Sequence, residues 1–227
     1  TGGKDLALFT ANSADQIMNE TEEFFDFPIE GKLQFIVFNK LSDLQQSNIG
    51  FVSQEDANIG GSTRIIGSKI FLYFNGDHNH LETQIRSGIN EVLISQLLYG
   101  GNWKDRVKNS TLLTLPEWYM EGLVSYCATG WNTEISNRVK DGILSGRYKK
   151  FNRLSGKDAE CAGNSIWNFI ANRYGESLIP SILYMTKVSR NIESGMLFVL
   201  GTSLKKLSDD WLGYYHNKYY VAEKLRD

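Results

Sequence analysis

The chain has 227 residues, 41% of them hydrophobic and 22% charged, and 24 Lys plus Arg face 26 Asp plus Glu for a formal charge of −2. That length suits one large domain or two small lobes sharing a core, and 5 Trp, 11 Tyr and 12 Phe exclude long-range disorder. A pI near 6.0 disfavours nucleic acid as the main partner, and no stretch approaches the ~20 apolar residues of a transmembrane segment.

In chain order, Thr1-Gly2-Gly3-Lys4 reads as the start of a domain cut from a longer chain. Ser13–Phe25 is predicted as a first helix, capped by Ser13 and stopped by Phe27-Pro28, with Ile17, Thr21, Phe24 and Phe25 near one side. Lys32–Phe38 reads as a strand, followed by strands at Ser62–Ile66 and Lys69–Phe74. Gly50-Phe51 precedes the latter two. Turns at Gly60-Gly61 and Gly67-Ser68 predict that those two pair as a hairpin. KIFLYF is apolar on both faces, the mark of a strand covered on both sides.

From Leu81 the pattern turns helical. Ile85, Ile89, Leu93 and Leu97 form an i, i+4 stripe up to Gly100-Gly101. Leu115-Pro116 opens a helix running to about Ala128. Further helices are predicted at Asn132–Leu144, Asn164–Tyr174, Leu178–Ser189, Ser194–Leu200 and Ser203–Tyr219, the last with Leu204, Leu207, Trp211 and Tyr214 on one side. The fold class is therefore α+β: a small N-terminal helix plus a mixed β-sheet, followed by a mainly helical half. We expect a single domain over 1–227, with a sheet-containing lobe at 1–100 and a helical lobe at 101–227.

Cys127 and Cys161 are the only cysteines; they read as two small core residues, or as one bridge. A G-x-S-x-G elbow, a phosphate loop and a dinucleotide fingerprint are all missing. The histidines are His78, His80 and His216. His78 and His80, in the loop before the Leu81 helix, form an H-x-H pair that is more often solvated than metal-binding. His216 lies in a tyrosine-rich stretch, which packs on the core or forms a contact surface. Gly122, inside a helix, costs ~1 kcal/mol against Ala and marks a close helix approach.

Two segments carry candidate chemistry, Gln84–Ile94 and Leu115–Tyr126. In a zincin, ligands at i and i+4 reach one metal from one helix face, and a Glu between them is the general base. The second segment reads Leu115-Pro116-x-Trp118-x-x-Glu121-Gly122-Leu123-x-x-Tyr126. It resembles the L-P-x-W-x-x-E-G-x-A-x-Y pattern of the gluzincin, peptidase MA-like family. The particular likeness is to domains that precede β-propeller repeats in Bacteroidetes envelope proteins. Ser165-x-x-Asn168-Phe169-Ile170-x-x-Arg173-Tyr174-Gly175 and Leu200-Gly201-x-Ser203-Leu204-x-x-Leu207-x-x-x-Trp211 extend the match. The resemblance implies a thermolysin-like fold, a cell-envelope or secreted location and further domains in the full-length protein.

The departure from that family lies in its H-E-x-x-H, which here reads Ser87-Gly88-Ile89-Asn90-Glu91. Ser87 stands for the first imidazole, Gly88 for the general base and Glu91 for the second imidazole, while Glu121 keeps the type of the third ligand. Losing a general base alone costs ~10²–10⁴ in rate. The expectation is thus an inactive metallopeptidase-like module without cofactor, either binding a protein or peptide ligand or serving as a structural domain with a filled cleft. Trp118, Tyr119 and Glu121 would line its cleft, and Glu91 would ion-pair with Arg86 or another cation. The rival is a zinc-dependent hydrolase, its ion held by Glu91 and Glu121 with His78 or His80.

Overall fold

The computed structural model describes residues 2–47, 64–66, 68–101 and 112–224. The chain divides into two compact units, Thr1–Gln96 with Cys127–Thr129 and Leu97–Tyr126 with Gly130–Asp227. The predicted α+β class is what forms: helix, small sheet, then helices.

The first unit opens on α1 (Gly2–Phe25). It begins well before the predicted Ser13, which lies mid-helix rather than at a cap. Leu6 and Phe9 explain the extra turns, because both pack on the cluster that holds Ala14 and Ile17. That packing outweighs the weak helix propensity of the Thr10–Ser13 stretch. The C-terminus is a Schellman motif: Asp26 is left-handed at φ 48, Phe27 N–H donates to Glu22 O at 3.2 Å and Asp26 N–H to Glu23 O at 3.4 Å.

The sheet contains β1 (Gln34–Phe38), β2 (Arg64–Ile66) and β3 (Lys69–Tyr73) in the order β1-β3-β2. β1 runs parallel to β3 with Gln34 opposite Lys69 and Phe38 opposite Tyr73. β2 and β3 form the predicted antiparallel pair, Arg64 opposite Phe71. The remaining part of the predicted second strand, Gly50-Phe51 and the turns at Gly60-Gly61 and Gly67 lie outside the described residues, as does Thr1.

Side chains on β3 alternate between two cores. Ile70 and Leu72 join Ala14, Ile17, Leu81, Ile85, Ile89 and Val92. Phe71 and Tyr73 join Leu44 of α2 (Leu41–Gln46), a short helix the sequence reading did not mark. The strand is covered on both faces, as its composition predicted, and each such apolar side chain contributes ~1.5–3 kcal/mol when fully buried.

Helix α3 (His78–Tyr99) carries the first motif segment. It begins a turn earlier than predicted, so His78 and His80 belong to the helix and not to the loop. Asp77 is its cap, its Oδ1 accepting from Asn79 N–H at 2.9 Å. Two buried glutamines tie α3 to its surroundings through paired amide bonds. Gln84 accepts from Tyr73 N–H at 3.2 Å and donates to Tyr73 O at 2.9 Å. Gln96 does the same to Glu30, at 2.7 and 3.0 Å.

The second unit contains α4 (Glu117–Thr129) as far as Tyr126, α5 (Thr133–Leu144), α6 (Gly156–Tyr174), α7 (Ile179–Ser189), α8 (Ile192–Leu200) and α9 (Leu204–Lys224). Two 3₁₀ segments, Arg147–Arg153 and Glu176–Leu178, link α5 to α6 and α6 to α7. Pro116 is the N-cap of α4 rather than its first helical residue. Asn132 caps α5 by accepting from Ile135 N–H at 3.0 Å. Helix α6 starts eight residues before the predicted Asn164. Its first half buries Ala159, Cys161, Ala162 and Gly163, small residues that give no apolar stripe to read.

The close approach expected at Gly122 occurs against Gly163 of α6. Trp118, Trp167 and Trp211 are wholly buried, and every indole N–H is satisfied. They donate to Asn152 Oδ1 at 2.7 Å, Tyr119 O at 3.0 Å and Ser165 Oγ at 3.0 Å respectively. On α9 the buried stripe is Leu207, Trp211, Tyr215 and Tyr219. The predicted Tyr214 is exposed, and His216 stacks outside on Tyr220, the rings 6.2 Å apart. Cys127 and Cys161 are free thiols, and burial pushes Cys161 up to about 12. Among the described residues no helix is long and apolar enough to cross a membrane.

Candidate functional site

On α3 the five residues Ser87-Gly88-Ile89-Asn90-Glu91 are positioned by the apolar residues around them. Leu81, Ile85, Ile89 and Val92 anchor the helix to the sheet and α1. Ser87 is wholly buried and Asn90 nearly so; Gly88 is buried and Glu91 half-buried. Asn90 Nδ2 donates to Arg86 O at 2.8 Å, a bond within its own helix. Among the described residues the Ser87 hydroxyl has no hydrogen-bond partner. Arg86 does not turn to Glu91 as expected: it meets Glu20 at 2.8 Å and Glu82 at 3.6 Å.

A buried hydroxyl without a partner loses hydration and gains nothing in exchange. Ser87→Ala should therefore raise stability by ~1 kcal/mol, helped by the better helix propensity of Ala. A higher melting temperature in calorimetry is the expected result; a loss of comparable size would mean that the hydroxyl is in use.

The two histidines near the start of α3 serve different neighbours. His80 Nε2 lies 3.0 Å from Tyr73 Oη, closing β3 against the helix. His78 packs edge-on between Phe9 and Phe74, at ring separations of 4.6 and 5.0 Å. The two histidines of the H-x-H pair thus make three aromatic contacts, with Phe9, Phe74 and Tyr73. Among the described residues no three His, Cys, Asp or Glu side chains gather into a group that could hold a metal ion.

In the second unit, Glu121 is an exposed residue of α4. Trp118 and Tyr119, expected to line a cleft, are wholly buried. Tyr119 Oη lies 2.9 Å from Thr186 Oγ1, and burial raises the phenol above its ordinary range. Trp118 packs on Phe151, with ring centroids 5.2 Å apart. Both rings are core, and their faces are turned to protein rather than to a ligand.

A catalytic zinc of the zincin kind requires two imidazoles from one helix and a carboxylate base between them. Here the Ser87–Glu91 stretch of α3 supplies a buried hydroxyl, a position without a side chain and a single carboxylate. These residues do not fit that ion.

One ionisable group that the sequence reading missed is Glu160 on α6, 4% exposed. Burial raises its carboxyl above the ordinary 4.5, while Lys157, 2.8 Å away, opposes the shift. Glu134 acts in the direction of burial and Arg138 against it. A carboxyl shifted upward contributes stability below its unfolded value and loses that contribution as pH rises through the folded one. Glu160→Gln should therefore flatten the fall in stability as pH rises above 4.5, measured by urea unfolding at several pH values; an unchanged profile would show that Lys157 compensates fully. No sequence signal marked Glu160, because Lys157 and Glu160 at i, i+3 look like an ordinary surface pair.

Nearby, Asp158 gathers Arg147 Nε at 2.9 Å, Arg138 at 3.3 Å and the Tyr148 hydroxyl at 3.2 Å. All four side chains keep one another paired, so the cluster braces α5, α6 and the 3₁₀ segment between them. Compared with known proteins, the chain matches no family model, no curated protein and no solved structure.

Proposed function

We propose that this chain is a gluzincin-like, peptidase MA-type module that has given up hydrolysis. It serves as a binding or structural part of a larger envelope protein, with a protein or peptide as its ligand. The observation that carries this reading is the state of α3. Ser87 and Gly88 stand where the resemblance would put an imidazole and a general base, and both are buried, so these two positions are packed rather than open. The Leu115–Tyr126 segment supports the ancestry: its Trp118 and Gly122 are used in packing, which preserves the helix arrangement after the chemistry has gone.

The test is elemental analysis of protein purified without chelators, run beside a peptide-hydrolysis assay. The expected result is substoichiometric zinc and no hydrolysis that depends on this chain. Stoichiometric zinc together with hydrolysis abolished by Glu121→Ala would replace this reading with that of a zinc-dependent hydrolase using Glu91 and Glu121.

A further inference from the structure

Between β3 and α3 the chain passes through Asn75-Gly76-Asp77, all three exposed. This is the only Asn-Gly dipeptide in the sequence. Asn75 Oδ1 accepts from Asp77 N–H at 3.0 Å, closing a small ring that contains both the Asn75 side-chain carbonyl carbon and the Gly76 nitrogen. Gly76 has φ +96, and a Cβ built there would meet nothing within 4 Å. Among the described residues its N–H donates to no acceptor.

These features favour one reaction. The Gly76 nitrogen is unhindered because glycine has no Cβ, and no hydrogen bond must break before it reacts. The Asp77 N–H sits on the oxygen where negative charge grows as the side-chain carbonyl is attacked. We infer that Asn75–Gly76 is a self-modifying site that converts to a succinimide and then to aspartate or isoaspartate.

The Gly76 nitrogen, giving up its proton to hydroxide, forms a bond to Asn75 Cγ. The Cγ–Nδ2 bond breaks, and ammonia leaves after taking a proton from water. Water then opens the five-membered imide at either carbonyl. Opening at the side-chain carbonyl leaves aspartate. Opening at the main-chain carbonyl leaves isoaspartate, with the backbone rerouted through the side chain. Either product places a new carboxylate ahead of Asp77, the cap of α3, where the helix dipole favours it. The isoaspartyl product also lengthens the link from β3 to α3 by one carbon.

The experiment ages the folded protein at mildly acid and mildly alkaline pH and maps the tryptic peptide that follows Lys69 and ends at Arg86. Fragmentation that separates isoaspartate from aspartate reads the outcome. Conversion at Asn75 should run roughly tenfold or more ahead of that at Asn79 in the same peptide, because His80 carries the Cβ that Gly76 lacks, and it should be faster at the alkaline pH. Asn75→Gln should abolish it. Gly76→Ala should slow it roughly tenfold, again through the added Cβ. Asn75 left intact while other exposed asparagines convert, or conversion at Asn75 only after denaturation, would overturn the inference.

Discussion

Gly163→Ala should cost the protein ~3 kcal/mol or more of folding stability, near the upper end for an overpacked core. A Cβ on Gly163 would overlap the Trp118 carbonyl oxygen and stand 2.7 Å from Gly122 Cα. These are backbone atoms of α4, so relief requires moving a helix rather than a side-chain tip. A Cβ on Gly122 meets the same obstacle from the other side, 2.8 Å from Asn164 N. Urea unfolding should show a lower midpoint with an unchanged slope. Gly213→Ala on α9 is the control: a Cβ there meets nothing within 4 Å, and the substitution should stabilise by ~0.5–1 kcal/mol through helix propensity alone. Equal effects at the two positions would mean that α4 and α6 do not cross at this glycine pair.

Trp118→Ala is expected to lose ~3–5 kcal/mol, the range for emptying a buried aromatic site. Its indole is wholly buried against Tyr119 and Phe151. Trp118→Phe keeps most of the ring packing and gives up the bond to Asn152, and should cost ~1 kcal/mol. Thermal unfolding of both variants separates a cleft-lining tryptophan from one that fills the core. A tryptophan lining a ligand cleft would leave stability nearly unchanged on truncation, whereas one filling a core would not.

The contrast between Trp118 and Gly122 shows how far the motif could be read. Both were singled out by their place in Leu115–Tyr126, and the close approach at Gly122 followed from a simple cost: glycine in a helix is tolerated where something else needs the space. Nothing comparable separated a cleft-lining Trp118 from a buried one, since an indole suits both. The same ambiguity affected His78 and His80. Their spacing fits a metal pair, yet their partners are Phe9, Phe74 and Tyr73, contributed by other parts of the first unit.

Taken alone, the amino-acid order determined several local features: the β2–β3 pairing from its glycine turns, the two-faced burial of β3 from its unbroken apolar run, the Ile85–Leu97 stripe from its period, and the α+β class from the order of elements. It also placed Ser87 and Gly88 on one predicted helix, in the Ile85–Leu97 stretch. Only the tertiary structure decided the early starts of α1 and α6, because Leu6, Phe9 and the small residues Ala159, Cys161, Ala162 and Gly163 are held helical by what they touch. It alone decided that the Ser87 hydroxyl is buried without a partner, that Arg86 serves Glu20, and that Glu160 lies in the core. Periodicity reports the face a residue occupies on its own element; which neighbour covers that face, and so whether a polar group is hydrated, paired or stranded, depends on contacts between residues far apart in the chain.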